Sequence, residues 1–256
     1  MLRSLVLFAT ALLSGLVSPA HAQEKPVRIL LVLGSPKFHD IRTFAPTIEK
    51  VLDKVGGFKV TRLEPPADKP PNDDAHMTRL ADIKRADYDV AVFYTTGYKL
   101  TETQERALEK FVEDGGGLVA IHGASASFGN SQAWMRLIGG KFAGHVPGTH
   151  KLNIVLNEIK HPVTAGVPPF AVVDEEYNHT FAKVERQVLA QFKERPKGSK
   201  GTNMDVVWVR EIGKGRVVYN ALGHGKEAWE NPAWQQLTVQ AILWSAGQPR
   251  QVVIAK

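Results

Sequence analysis

Three histidines come shortly after aliphatic, β-branched runs that lie far apart in the chain, His122 directly at the end of its run. They are His39 in "VRILLVLGSPKFHD" (27–40), His122 in "LVAIHGA" (118–124) and His224 in "GRVVYNALGHG" (215–225). An imidazole moves protons near neutral pH, and its neutral form is the commonest protein ligand for a divalent metal such as zinc. His145 in "GKFAGHVPGTH" and Glu175, Glu176 and His179 in "DEEYNH" (174–179) lie in the irregular middle of the chain and can join such a site. The candidate metal shell is His39, His122, His145 and His224. The candidate acid–base groups are His122, His224 and Glu175. Tyr98, Glu176 and Trp229 are candidates for contact with a sugar, because carboxylates hold hydroxyls and aromatic rings cover apolar sugar faces. Trp229 is expected in an exposed loop, "HGKEAWENP". If 174–179 is a strand, Glu175 and Glu176 face opposite ways.

Other chemistries find less support. Ser125 and Ser127 follow His122, but "HGASAS" fits the G-x-S-x-G nucleophile elbow poorly: Ser127 replaces the second glycine, and the next helical pattern starts only near Ser131. No H-E-x-x-H is present, so any metal ligands must be assembled by the fold. No G-x-G-x-x-G follows the first apolar run and no G-x-x-x-x-G-K-[ST] occurs, so a nucleotide is not expected.

Elements that could bring these residues together are legible. Runs at 27–33, 88–95 and 118–121 are short and apolar throughout, as for strands buried on both faces of a parallel sheet. They alternate with helical stretches around 43–55 and after Thr101, where Thr101 and Gln104 form a capping box. This alternation predicts a doubly wound α/β sheet, whose ligands bind at the carboxyl ends of the strands, where the three histidines fall. Beyond Ser131 come a short helix and strand-like runs over 150–211, then a returning strand at 215–222. "GKG" (213–215) reads as a hairpin turn. A final helix opens at Asn231-Pro232 and carries Trp234, Leu237, Ala241 and Trp244 on one stripe.

Composition sets further bounds. Residues 1–22 have a cationic start, an apolar centre too short to span a bilayer, and Ala20-His21-Ala22 as a cleavage site. They predict a secretory signal peptide, a single mature domain over 23–256 with no membrane span, and a periplasmic or secreted location. The chain contains no cysteine, which excludes disulfides and thiolate catalysis. The formal charge of +6 is scattered, so no nucleic-acid partner is expected. The one cluster, "FKERPKGSK" (192–200), reads as a solvated loop.

The blocks "GGGLVAIHGASASF", "LIGGKFAGHVPGTHKLNIV", "HPVTAGVPPFAVVDEEYNHTF" and "VVWVREIGKGRVVYNALGHGKEAW", in that order, resemble the ThuA-like (trehalose utilisation) family. The resemblance implies a flavodoxin-like, class I glutamine amidotransferase-like three-layer sandwich. It also implies a role with trehalose or a related glycoside, as an enzyme or as a non-catalytic binding or accessory protein. Amidotransferases carry a nucleophilic cysteine at the turn that His122 occupies here, so glutaminase activity is not expected. The family's blocks point to His39, His122, His145, Glu175 and His224 as pocket residues. Ser127 stands where relatives often carry an acid, which sets this chain apart from them.

Overall fold

The computed structural model describes residues 25–35, 37–70 and 74–254, so the predicted signal peptide lies outside the described residues. Along the chain run β1 (Val27–Gly34), α1 (Ile41–Val55), β2 (Phe58–Leu63), β3 (Val90–Thr95), α2 (Glu102–Glu113), β4 (Gly117–Ile121), α3 (Gln132–Ile138) and β5 (Gly140–Gly144). There follow β6 (His150–Leu156), β7 (Phe170–Asp174), β8 (Asn178–Phe181), β9 (Gln187–Phe192), β10 (Asp205–Ile212), β11 (Gly215–Asn220), α4 (Lys226–Trp229) and α5 (Pro232–Ser245).

Nine strands form one sheet in the order β2-β1-β3-β4-β11-β10-β9-β6-β7. From β2 to β11 every pairing is parallel. From β11 to β7 every pairing is antiparallel, which places the strand-like runs of 150–211 as an extension of the parallel half. β3 and β4 are buried at every position, because helices cover both faces. α1 and α5 pack together on one side, and α2 and α3 on the other.

The local signals behave as their chemistry dictates. The Thr101 side chain accepts from the Gln104 amide, and Gln104 Oε1 accepts from the Thr101 amide at 2.8 Å. Asn231 caps α5 by accepting from Ala233 and Trp234. The hairpin between β10 and β11 turns at Gly213, whose φ of +58° suits glycine. One expectation needs correction. α5 does not present a single apolar stripe but is buried on nearly every side, including Gln236, Thr238 and Gln240. The glutamines bond inside the fold: Gln240, for one, donates to the Val163 carbonyl and accepts from the Val252 amide. β5 and β8, which pair with each other outside the main sheet, are too short to show a period in the sequence.

The parallel half is tied at its amino-terminal edge by Asp89, just before β3. Its carboxylate accepts from the Arg28 amide and guanidinium and pairs with Arg85. Burial works to raise this carboxyl, but the two arginines outweigh it and hold it at about 2. A depressed carboxyl stabilises the fold above its unfolded value near 4, and that contribution is lost as pH falls towards 2. Asp89→Asn should therefore lower stability at pH 7 by about 1–2 kcal/mol, allowing for solvent screening of the arginines. It should also flatten the loss between pH 4 and 2, as read from urea midpoints across that range.

Candidate functional site

β4 ends at Ile121, and the chain turns at once. His122 has φ +47°, a left-handed conformation that costs a non-glycine residue about 1–2 kcal/mol, and it opens a single 3₁₀ turn over His122–Ala126. The strand-to-helix elbow that the sequence did not show is therefore present, with a histidine at its apex. The surrounding contacts hold it there. Its carbonyl accepts from Tyr219 Oη at 3.0 Å and Ser125 Oγ at 3.2 Å, and its ring stacks on Tyr177 with centroids 4.0 Å apart. Nδ1 lies 2.6 Å from the Ala221 carbonyl. A carbonyl only accepts, so Nδ1 donates to it and Nε2 is turned into the site.

His39 arrives from the loop after β1, where Ser35 Oγ accepts from its amide. Its ring meets those of His122 and His224 edge-on, at 4.9 and 5.2 Å. Nδ1 is 2.6 Å from Thr96 Oγ1, and Nε2 is buried with no hydrogen-bond partner. Burial above all, with His122 and His224 adding to it, pushes His39 down to about 2, so the ring is neutral and able to ligate. Gly123 makes this approach possible. A Cβ there would stand 2.7 Å from His39 Cε1 and 2.9 Å from the Thr95 carbonyl, and closer still to Thr96 Oγ1.

His224 follows β11 on a loop braced by Asp174, a fully buried carboxyl absent from the sequence-based candidates. Asp174 accepts from the amides of Gly223 (2.7 Å), His224 (3.1 Å) and Glu175 (2.8 Å). Its burial raises it, and His122 and these amides oppose the rise. The Gly223 carbonyl in turn accepts from Tyr94 Oη and Trp229 Nε1. The signal for Asp174 in the sequence is its place: it ends an apolar strand and opens a run of three acids.

Glu175 is the hub. Its Oε2 lies 3.3 Å from His122 Nε2 and 3.2 Å from His224 Nδ1, and its Oε1 lies 3.6 Å from His145 Nε2. Burial acts to raise this carboxyl, but the His122 and His224 imidazoles outweigh it and hold it well below the usual carboxylate range. His39, His122, Glu175 and His224 each offer one ligand atom, all within 4.8 Å of one another. His122 Nε2 thus faces a carboxylate oxygen, His39 Nε2 has no partner, and His224 Nδ1 is close to Glu175 but off the line of a hydrogen bond. Only a proton or a cation among them resolves the first contact. Three imidazole nitrogens and one carboxylate are a donor set that suits zinc and similar divalent ions.

The other candidates separate. His145 is one step outside the cluster, touching only Glu175's far oxygen. Glu176 is corrected: it is wholly buried on the opposite side, paired with Arg195 and accepting from Ser199 Oγ at 2.6 Å, so it does not face the histidines. Trp229 is also corrected. It lies in the short helix α4, not in an exposed loop, and its buried indole packs on Phe44 and Tyr94. Tyr98 stays partly exposed, its ring over Gly34. Ser125 and Ser127 are buried with engaged hydroxyls, and His179 is held by Tyr219 behind the site and pushed to about 3, chiefly by burial. A larger concavity of about 870 Å³ beside Trp244, Arg186 and Arg210 is remote from this chemistry. Gly123→Ala should displace His39 and destabilise the fold by about 1–3 kcal/mol. Chemical denaturation would show the loss, and a zinc titration would show weaker binding than wild type.

The comparisons with known proteins bear on the fold and the family. The structure is similar to a ThuA-like protein of Parabacteroides merdae, at 21% identity and TM-score 0.73, over 90% of this chain and 93% of that one. It is similar to a ThuA-like protein of Bacteroides uniformis, at 21% identity and TM-score 0.66, over 89% and 95%. It also matches part of a β-galactosidase of Bacillus circulans, at 12% identity and TM-score 0.56, over 87% of this chain but 32% of that one. At such identities the likeness shows the fold, which is glutamine amidotransferase-like. No curated protein matches the chain. The family model described as "Trehalose utilisation" matches residues 28–245, so the chain belongs to the ThuA family.

Proposed function

We propose that this protein is an exported, metal-dependent enzyme acting on trehalose or a related glycoside. Family membership supports a role in carbohydrate utilisation, and the cluster at the strand ends supplies the chemistry. The observation that carries the reading is the convergence of His39, His122, Glu175 and His224, whose ligand atoms lie within 4.8 Å of one another while His39 Nε2 is buried with no hydrogen-bond partner. A buried imidazole nitrogen without a partner is costly, and a divalent ion shared with Glu175 would satisfy it.

In this scheme His39 Nε2, His122 Nε2, His224 Nδ1 and Glu175 would hold a divalent ion. Such an ion supplies Lewis acidity toward a sugar hydroxyl or carbonyl and acidifies bound water. The protein's own groups do the rest. Ala221 and Thr96 orient the His122 and His39 rings, Asp174 fixes the backbone that carries His224, and His145, half-buried beside Glu175, is placed to take or give a proton at the mouth. With no cysteine at the elbow, glutamine hydrolysis is not part of the reading. The cleavable leader predicted at 1–22 supports export to the periplasm or beyond.

Elemental mass spectrometry of the purified protein should find about one divalent ion per chain, lost in His122→Ala/His224→Ala. The double variant should also lose turnover of disaccharides by about a hundredfold or more. Absence of metal from the wild type, together with unchanged turnover in the double variant, would sink the scheme. A protein that gains thermal stability from sugar without consuming it would instead be a binder.

A further inference from the structure

The basic run 192–200 exposes Lys193, Lys197 and Lys200, as expected of a solvated loop, but two of its side chains turn inward. Arg195 turns inward onto Glu176 and the Asn203 carbonyl, and Ser199 Oγ donates to Glu176 and accepts from the Gly201 amide. Glu176, fully buried, therefore anchors residues 195–201 as a strap. The strap passes tightly over β8, since a Cβ at Gly201 would collide with the Asn178 side chain.

Between this strap and the turn after β5 lies a cavity of about 330 Å³, lined by residues 143–147, Asn178, Gly198 and Lys200. His145 belongs to both places. It lines the cavity, and its Nε2 lies 3.6 Å from Glu175 Oε1, so the cavity opens one imidazole away from the cluster. The charge of the lining is one-sided. Lys200 and His145 are its titratable groups and no carboxylate is among its lining residues; of the acids behind them, Glu175 is engaged by the histidines and Glu176 is paired with Arg195. Among the described residues no carboxylate pairs with Lys200.

We infer that this cavity is a substrate subsite that recognises an anionic group carried by the saccharide, with Lys200 as its charge contact. The inference rests on the sugar-directed reading of the histidine cluster and narrows it to acidic or phosphorylated sugars. A cavity of this size takes part of a small ligand, so the remainder of the saccharide extends past His145 to the cluster. Glu176 and Arg195 act only by holding the strap in place.

The test is thermal denaturation of the full protein with gluconate, glucose 6-phosphate or glucose at matched ionic strength. The anionic sugars should raise Tm and glucose should not, and the larger of the two anionic shifts tells carboxylate from phosphate. Lys200→Ala should weaken that binding about tenfold, and Lys200→Arg should retain it. Lys200 is exposed, so these variants fold. Equal shifts with glucose, or an undiminished response in Lys200→Ala, would overturn the inference. The readout needs neither metal nor turnover, so it can fail while the metal-dependent reading stands, and the reverse.

Discussion

One hydrogen bond orders this site: His122 Nδ1 to the carbonyl of Ala221. It exists because β4 and β11 are parallel neighbours in a register that sets Asn220 opposite Ile121, so that the next residues, Ala221 and His122, leave the sheet side by side. Parallel strands send their carboxyl ends to one edge, and the elbow at φ +47° swings the imidazole of His122 across to the adjacent chain. The bond commits the Nδ1 proton to the scaffold and turns Nε2 inward, onto Glu175. From that constraint follow the position of Glu175, the unpartnered nitrogen of His39 and the need for a positive charge between them.

The parallel half and its histidines are legible in the sequence because they obey local rules. Strands buried on both faces leave uninterrupted aliphatic runs, and the sheet's geometry then gathers whatever follows them. Those two rules alone bring His39, His122 and His224 to one edge. They also leave Glu175 within reach as a partner, and the 3.2–3.3 Å contacts of its Oε2 agree. What escapes is set by distant contacts. Trp229 is buried because Phe44 and Tyr94 come to meet it, and no pattern within "HGKEAWENP" announces those partners. Asp174 is braced by the amides of Gly223 and His224, far along the chain. The elbow itself depends on a backbone angle that residue type does not encode for histidine.

The two neighbouring glutamates show how one residue of offset separates roles. Glu175 is drawn among three imidazoles, whereas Glu176 is sealed behind them against Arg195. Glu176 is wholly buried and Glu175 largely so, and each has positive or protonated partners, as burial of charge requires. Their partners differ in kind: a guanidinium gives a permanent lock for a loop, while imidazoles can exchange protons or hold a metal.

The pairing of β4 with β11 has a further consequence, in the order of folding. These adjacent strands are separated in the chain by the whole of residues 122–214, which contains α3 and the antiparallel extension. Closing so long a loop is slow compared with forming β1–β3 contacts, and nothing of the cluster beyond His39 and His122 can be in place until it closes. His224 comes about a hundred residues after His122. A polypeptide interrupted before that point has no complete cluster, whatever part of the sheet it has formed. The centre is assembled only by completion of the molecule as a whole.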